Sequence, residues 1–402
     1  MKIYLDVALI IIVAKLLGLV MRRLKLPEVI GALLAGLILG PNLIGVVQES
    51  ELLSGLSSIG VVLIMFGAGL ETNLKQIKAA GKPSVIITFA GVILPMGLGF
   101  LVACLFNGGF NTGRDQMLDN LYYGVILTAT SVAITVATLK ELGKLTDRAG
   151  TSILSAAVLD DIIGLVILTV VIGQKNPDSS IGKTLLFTAL FFVFVVVCGF
   201  IINKLYKMLE KRYEHHRRMA ILGVFVCLFF AYAAEAWFGL AEIVGAFMAG
   251  VVFSDTKDAK YVEKHVDESL FLLFSPIFFA HIGISATFGS FGGNMVWLGI
   301  CFVLVGLLGK LAGCSLSARA CGYTSRESLR VGLGMMARAE VALITTQKGI
   351  EAGFISEDFM PFVIALVLIS SLLTPILLKL TYRNDPAEQL ISAPSVPSAK
   401  EQ

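Results

Sequence analysis

Ala156-Ala157-Val158-Leu159-Asp160-Asp161-Ile162-Ile163-Gly164-Leu165 is the stretch on which the reading of this chain turns. It lies inside an apolar run from about Thr151 to Ile172, long enough to cross a bilayer as a helix. Asp160 and Asp161 fall near its middle, at the depth farthest from water. An ionised carboxylate there costs about 2.5–3.5 kcal/mol even on a mild insertion scale. Acidic groups at membrane depth line water-filled cavities or mark ion and proton paths. On a helix, neighbouring residues point about 100° apart, so the two aspartates face different surroundings.

The rest of the chain agrees with a membrane setting. Of 402 residues, 56% are hydrophobic and only 15% charged, and the mean hydropathy is +0.85. Charge is confined to short clusters between apolar runs, which is the pattern of an all-α polytopic membrane protein. We expect about thirteen transmembrane helices, at about 4–20, 28–40, 53–70, 84–106, 121–139, 151–172, 183–203, 219–236, 240–253, 269–286, 295–317, 329–347 and 359–380. Six cysteines lie in or beside apolar runs without metal-ligand spacing and read as inert core thiols. The first apolar run is followed by Arg22, Arg23 and Lys25, the reverse of signal-peptide charge order, so it is kept as a mature helix.

Lys and Arg set the expected orientation. Of the 32, Lys2, Arg114, Lys175, Lys183 and Lys348 fall on one side, and Lys15, Lys310 and Arg338 fall inside spans. All others fall on the opposite side. That bias predicts a multi-pass protein of the plasma membrane with its N-terminus outside and its C-terminus cytoplasmic. The membrane domain is expected over 1–382, followed by a short polar tail, 383–402, without a cytoplasmic regulatory domain.

An internal repeat is legible. Leu26-Pro-Glu28-Val-Ile-Gly31-Ala-Leu-Leu-Ala35-Gly36 matches Leu240-Ala-Glu242-Ile-Val-Gly245-Ala-Phe-Met-Ala249-Gly250 at an offset of 214, and Gly69 falls on Gly283. One copy leaves a cytoplasmic loop and the other an outer loop, so the two run oppositely through the membrane. Inverted repeats, here about 26–172 and 240–380 with a linker helix at 183–203, are the architecture of secondary transporters. The repeat also aligns Ala129–Ile134 with Arg338–Leu343. Thr128, Thr130, Ser131 and Thr135 weaken the first of these, and Gly332, Gly334 and two charges the second, which predicts two discontinuous crossing helices. Lys310 lies within span 295–317 without an acid in its own helix, and we expect it to pair with Asp160 or Asp161. Arg338 and Glu340 are expected to neutralise one another and the half-helix ends, a structural role. His281 is expected to be a hydrogen-bonded core histidine. Glu28, Glu235 and Glu242 lie nearer the span ends.

The segments Leu26–Pro41, Met65–Glu71, Asp160-Asp161 and Gly334–Leu343 together resemble the monovalent cation:proton antiporters. The branch they resemble is that of the bacterial sodium/proton antiporters with thirteen helices, related to the potassium-efflux exchangers. The resemblance implies that Asp161 binds a cation and a proton alternately, and that Asp160 pairs with Lys310 when no cation is bound. It further implies that Thr130 and Ser131 lend oxygens, that Glu340 is the acidic position of the second crossing helix, and that the protein is a homodimer. Ala337 and Ala339 stand where a proline and a glycine are expected, which leaves the site of that break open.

The expected function is a secondary active antiporter exchanging protons for a monovalent cation, sodium foremost and potassium the other candidate. A bare buried carboxylate is costly, so a proton and a small hard cation compete for its oxygens, and only a neutralised site crosses cheaply. A carboxylate held by Lys310 would allow a second proton per cycle. The alternative is a sodium-coupled solute symporter of similar fold. An enzyme is not expected, because adjacent aspartates on one helix do not form a facing dyad; no cofactor and no nucleic-acid partner are expected either, only cations, protons and the lipid bilayer. A Thr-Val-Gly-Tyr-Gly filter is missing, and Gly182-Lys183-Thr184 lacks the upstream glycine of a phosphate-binding loop.

Overall fold

The computed structural model describes residues 2–24, 28–41, 43–72, 81–111, 113–175, 181–212, 217–254, 256–285 and 293–383. Lys25, Lys75, Lys78, Pro27 and the tail from 384 onward lie outside the described residues. Among the described residues there are helices and no strands. In chain order they are α1 (Lys2–Arg23), α2 (Glu28–Leu39), α3 (Glu51–Glu71), α4 (Lys82–Phe106), α5 (Arg114–Ile126), α6 (Val132–Glu141), α7 (Arg148–Gly173) and α8 (Ile181–Arg212). Then come α9 (Arg217–Phe238), α10 (Glu242–Ser254), α11 (Ala259–Ser269), α12 (Ser275–Ser285), α13 (Gly293–Ala320), α14 (Ser325–Gly334), α15 (Glu340–Glu351) and α16 (Met360–Arg383). Nine helical runs among the described residues are long and apolar enough to span a bilayer, and α2 and α10 are shorter apolar helices. One expected span begins earlier than read: α11 and α12 are joined through a π-helical turn at Leu270–Phe274 into one run from Ala259. Its first eleven residues, AKYVEKHVDES, carry too much charge to register as apolar and bury only Ala259, Val262 and Val266.

Helix packing sorts the chain into two bundles. One contains α1–α3 and α9–α12; the other contains α4–α7 and α13–α16; α8 packs on α7 as well as on α9 and α10. Small residues make the tightest contacts. A Cβ on Gly36 of α2 would lie 1.9 Å from the carbonyl oxygen of Ala280 on α12, and one on Gly250 of α10 would lie 2.3 Å from that of Phe66 on α3. Backbones this close give dispersion contact where lipid supplies no hydrophobic drive. The contacts come in matched sets. Gly31 meets Gly18 on α1 while Gly245 meets Phe230 on α9, and Gly69 meets Phe247 while Gly283 meets Leu33. In each set the glycines stand 214 apart, as do the partners Leu33 and Phe247, and Gly309 of α13 meets Pro95 of α4 at that same spacing.

Both expected interruptions are present. α5 ends at Ile126 and α6 begins at Val132; α14 ends at Gly334 and α15 begins at Glu340. The second break forms without proline. Its backbone is satisfied from outside: the N–H of Arg338 donates to Ser370 Oγ (3.0 Å), Ser371 Oγ donates to the Arg338 carbonyl (3.0 Å), and Thr135 Oγ1 donates to the Gly334 carbonyl (2.6 Å). The two breaks touch where the N–H of Ser131 donates to the carbonyl of Ala337 at 2.8 Å.

Candidate ion-binding site

α7 sets the geometry. Asp147 caps its start, accepting from the Gly150 N–H at 2.6 Å, and the helix then runs unbroken through both aspartates. Asp160 faces the interior of the second bundle and is 2% exposed. Lys310 Nζ, fully buried on α13, donates to Asp160 Oδ1 at 2.8 Å and Oδ2 at 2.9 Å, and to the Thr128 carbonyl at 2.9 Å. All three ammonium protons have acceptors, which is the condition under which a buried ion pair is tolerated.

Asp161, one residue on, points into the cleft between the bundles. It lines a cavity of about 380 Å³ with Glu71 of α3, Thr72 that caps it, Thr130 of the first break, Phe247 of α10 and Glu340 of α15. Leu154, Val158, Asp161 and Leu165 form one stripe of α7 along this cavity. Thr130 Oγ1 and Ser131 Oγ are buried and have no hydrogen-bond partner among protein atoms. Buried hydroxyls left unpaired are costly, and Thr130 is one of the residues that line the cavity with Asp161. The cleft therefore brings three carboxylates to the lining of one space large enough for several waters, although among the described residues no three of them stand close enough together to hold a metal ion.

The expected Arg338–Glu340 pair is not formed. Arg338, fully buried, donates through Nη1 to the Ala129 carbonyl and through Nη2 to the Gly306 carbonyl at 3.2 Å. With Lys310 on the Thr128 carbonyl, two cations cap the C-terminal end of α5. The Thr128 and Ala129 carbonyls lie just beyond the C-terminal end of α5, the negative pole of a half-helix. Glu340 is left to the cavity, in the first turn of α15. His281 is buried on α12, but its Nε2 makes no hydrogen bond and lies 3.4 Å from Glu49 Oε1. Glu28 pairs with Arg22 at 3.2 Å, and Glu242 pairs with Lys348 at 2.5 Å.

Sequence reasoning passed over Glu71, Thr72, Ser370 and Ser371 as site residues. A carboxylate closing an apolar span and adjacent serines in mid-span were the available signals.

A family profile described as the transmembrane sodium/hydrogen exchanger matches residues 8–383. This chain belongs to the sodium/hydrogen exchanger family. Among curated exchangers, it is 34% identical to the Na(+)/H(+)-K(+) antiporter GerN of Bacillus cereus, over 94% of this chain and 96% of that protein. It is 32% identical to a Na(+)/H(+) antiporter of Enterococcus hirae, over 94% of this chain and 97% of that protein. The exchanger fold is confirmed by the solved sodium proton antiporter MjNhaP1 of Methanocaldococcus jannaschii, with a TM-score of 0.74 at 18% identity, covering 98% of this chain and 100% of that one. The chain is thus a multi-pass membrane transporter of this family and not an enzyme.

Proposed function

We propose that this exchanger moves protons against a monovalent cation, sodium foremost, by alternating access at Asp161, with Asp160 and Lys310 as its internal counter-charge. The observation that carries this reading is the division of labour between adjacent aspartates: one is sealed against a lysine, the other is open to a cavity. Asp161 in that cavity is neutralised by a proton or by a cation held with Thr130 and Glu340, and Ser131 stands at the same break. Carrying the bare carboxylate across is the costly alternative, so the two fluxes are coupled. The printed names of the similar antiporters support sodium and proton as substrates, and one of them adds potassium. A solute symporter would need more varied polar groups than the carboxylates and threonines lining the cleft.

The matched glycine contacts support an inverted repeat over about 26–172 and 240–380, with α8 as linker. On that reading the short helices α2 and α10 and the two interrupted pairs α5–α6 and α14–α15 complete thirteen crossings. The charge bias supports an outer N-terminus in the plasma membrane, which puts the Glu71 end of the cavity on the cytoplasmic side. A homodimer is proposed on the family resemblance alone.

The test is proton flux in proteoliposomes on addition of sodium, lithium or potassium. Sodium is expected to drive proton movement in the parent protein, and Asp161→Asn to abolish it while the protein stays folded. Undiminished exchange by a folded Asp161→Asn protein would refute the assignment.

A further inference from the structure

A second polar space lies at the other end of the same helices. It is a narrow space of about 20 Å³, room for about one water. Ser54 and Ser57 of α3, His281 of α12, and Gln347, Lys348 and Glu351 of α15 are among its walls. His281, 6% exposed, turns its Nε2 toward Glu49 Oε1 at 3.4 Å. The chamber and the Asp161 cavity share two helix faces. On α3, Val61 borders the chamber and Met65 borders the cavity; on α15, Ile344 borders the chamber and Val341 the cavity. About one helical turn, roughly 4.5–6 Å, separates each pair. A short apolar stretch on both helices therefore lies between a wide cavity and a narrow one.

Lys348 closes that end. Its Nζ reaches Glu242 Oε1 at 2.5 Å and Glu351 Oε2 at 2.7 Å. Glu351 is on its own helix, but Glu242 opens α10 in the other bundle, so the first contact ties the two bundles together. The side chains of Lys348 and Glu242 are 15% and 19% exposed, shielded enough for the pair to exceed the worth of a surface ion pair.

We propose that this chamber is the shut second mouth of the ion path and that the Lys348–Glu242 pair is the latch that holds it shut. The inference rests on the exchange reading above and adds the residues of the far gate. Breaking the latch shifts the balance toward the state open at the chamber, at the expense of the state open at the cavity. A charged hydrogen bond of this kind shifts such an equilibrium by about tenfold or more.

The experiment is cysteine labelling with a membrane-impermeant methanethiosulfonate in right-side-out and inside-out vesicles, with the parent protein labelled in parallel as background. Ala68→Cys reports on the cavity and Ser57→Cys on the chamber, with Ser54→Cys as the second reporter should Ser57→Cys fail to fold. The chamber reporter is expected to react from the side opposite to the cavity reporter. Adding Glu242→Gln, which leaves Lys348 neutralised by Glu351, should raise the chamber rate about tenfold and lower the cavity rate. Lys348→Arg, which keeps a cation in reach of Glu242, should leave both at the parent rates. Labelling of both reporters from one side, or rates indifferent to Glu242→Gln, would overturn the latch. Loss of exchange in Asp161→Asn is read separately, so a failed latch with Asp161 dependence intact leaves the exchange reading standing.

Discussion

Replacing Lys310 by glutamine removes an ammonium whose three acceptors are all buried: both oxygens of Asp160 and the carbonyl of Thr128. Asp160 is then a carboxylate with a side chain 1% exposed and no cation in contact. Breaking a buried pair from one side costs about 3–5 kcal/mol, most of it the penalty on the orphaned charge. Lys310→Gln should therefore lower the thermal midpoint of the purified protein sharply. Asp160→Asn alone orphans the lysine, but the Thr128 carbonyl remains beside it, so its loss should be smaller. The double variant carries no orphaned charge, and the glutamine amide can still donate to the Thr128 carbonyl. It should recover about 2–3 kcal/mol of the summed losses, within the range of coupling seen for residues in direct contact. The assay is a thermal-melt double-mutant cycle, joined to a membrane-potential dye in proteoliposomes. With one exchangeable charge gone, any transport left in the double variant is expected to be electroneutral. Strictly additive losses would refute the reasoning, because residues that share a buried ion pair cannot lose it twice.

Gly250→Ala should destabilise by about 1–3 kcal/mol through overpacking, since its Cβ would lie 2.3 Å from the Phe66 carbonyl oxygen. Gly55→Ala, also in a helix but with nothing within 4 Å, should be neutral or stabilise by up to about 1 kcal/mol in the same melt. Thr324→Ala breaks the capping box at the start of α14, where Thr324 and Glu327 satisfy each other's backbone N–H, and should cost about 1 kcal/mol. The Thr324 N–H holds the Glu327 carboxyl below its ordinary value. Its contribution is thus complete above the usual carboxylate range and fades as pH falls through the lowered value; a Glu327→Ala deficit that persists undiminished in acid would contradict this. A tag after Gln402 should resist external protease on intact cells, and cleavage there without lysis would reverse the proposed orientation.

The sequence by itself determined what depends on composition and one-dimensional spacing. Apolar run lengths set the helices, because a bilayer admits little other backbone. The 214-residue offset linked Gly31, Gly36 and Gly69 to Gly245, Gly250 and Gly283, and threonines and glycines in mid-span marked both breaks. Asp160-Asp161 announced itself because paired carboxylates at that depth are too costly to be incidental, and a lone Lys310 needed an acid, which the fold supplies as Asp160. Only the tertiary structure decided partnerships between helices distant in sequence. It turned Asp160 inward and Asp161 toward the cleft, a choice that depends on the rotation of α7 against its neighbours. It sent Arg338 to the carbonyl end of α5 in place of Glu340, and Glu340 to a cavity it shares with Glu71, 269 positions earlier in the chain. It fixed where the second helix breaks, a point the missing proline had left open: the Arg338 N–H donates to Ser370 and the Ser371 hydroxyl donates to the Arg338 carbonyl. Each of these outcomes is a competition among buried polar groups for a limited set of partners. That competition is resolved by distance in three dimensions, which residue spacing along the chain does not encode.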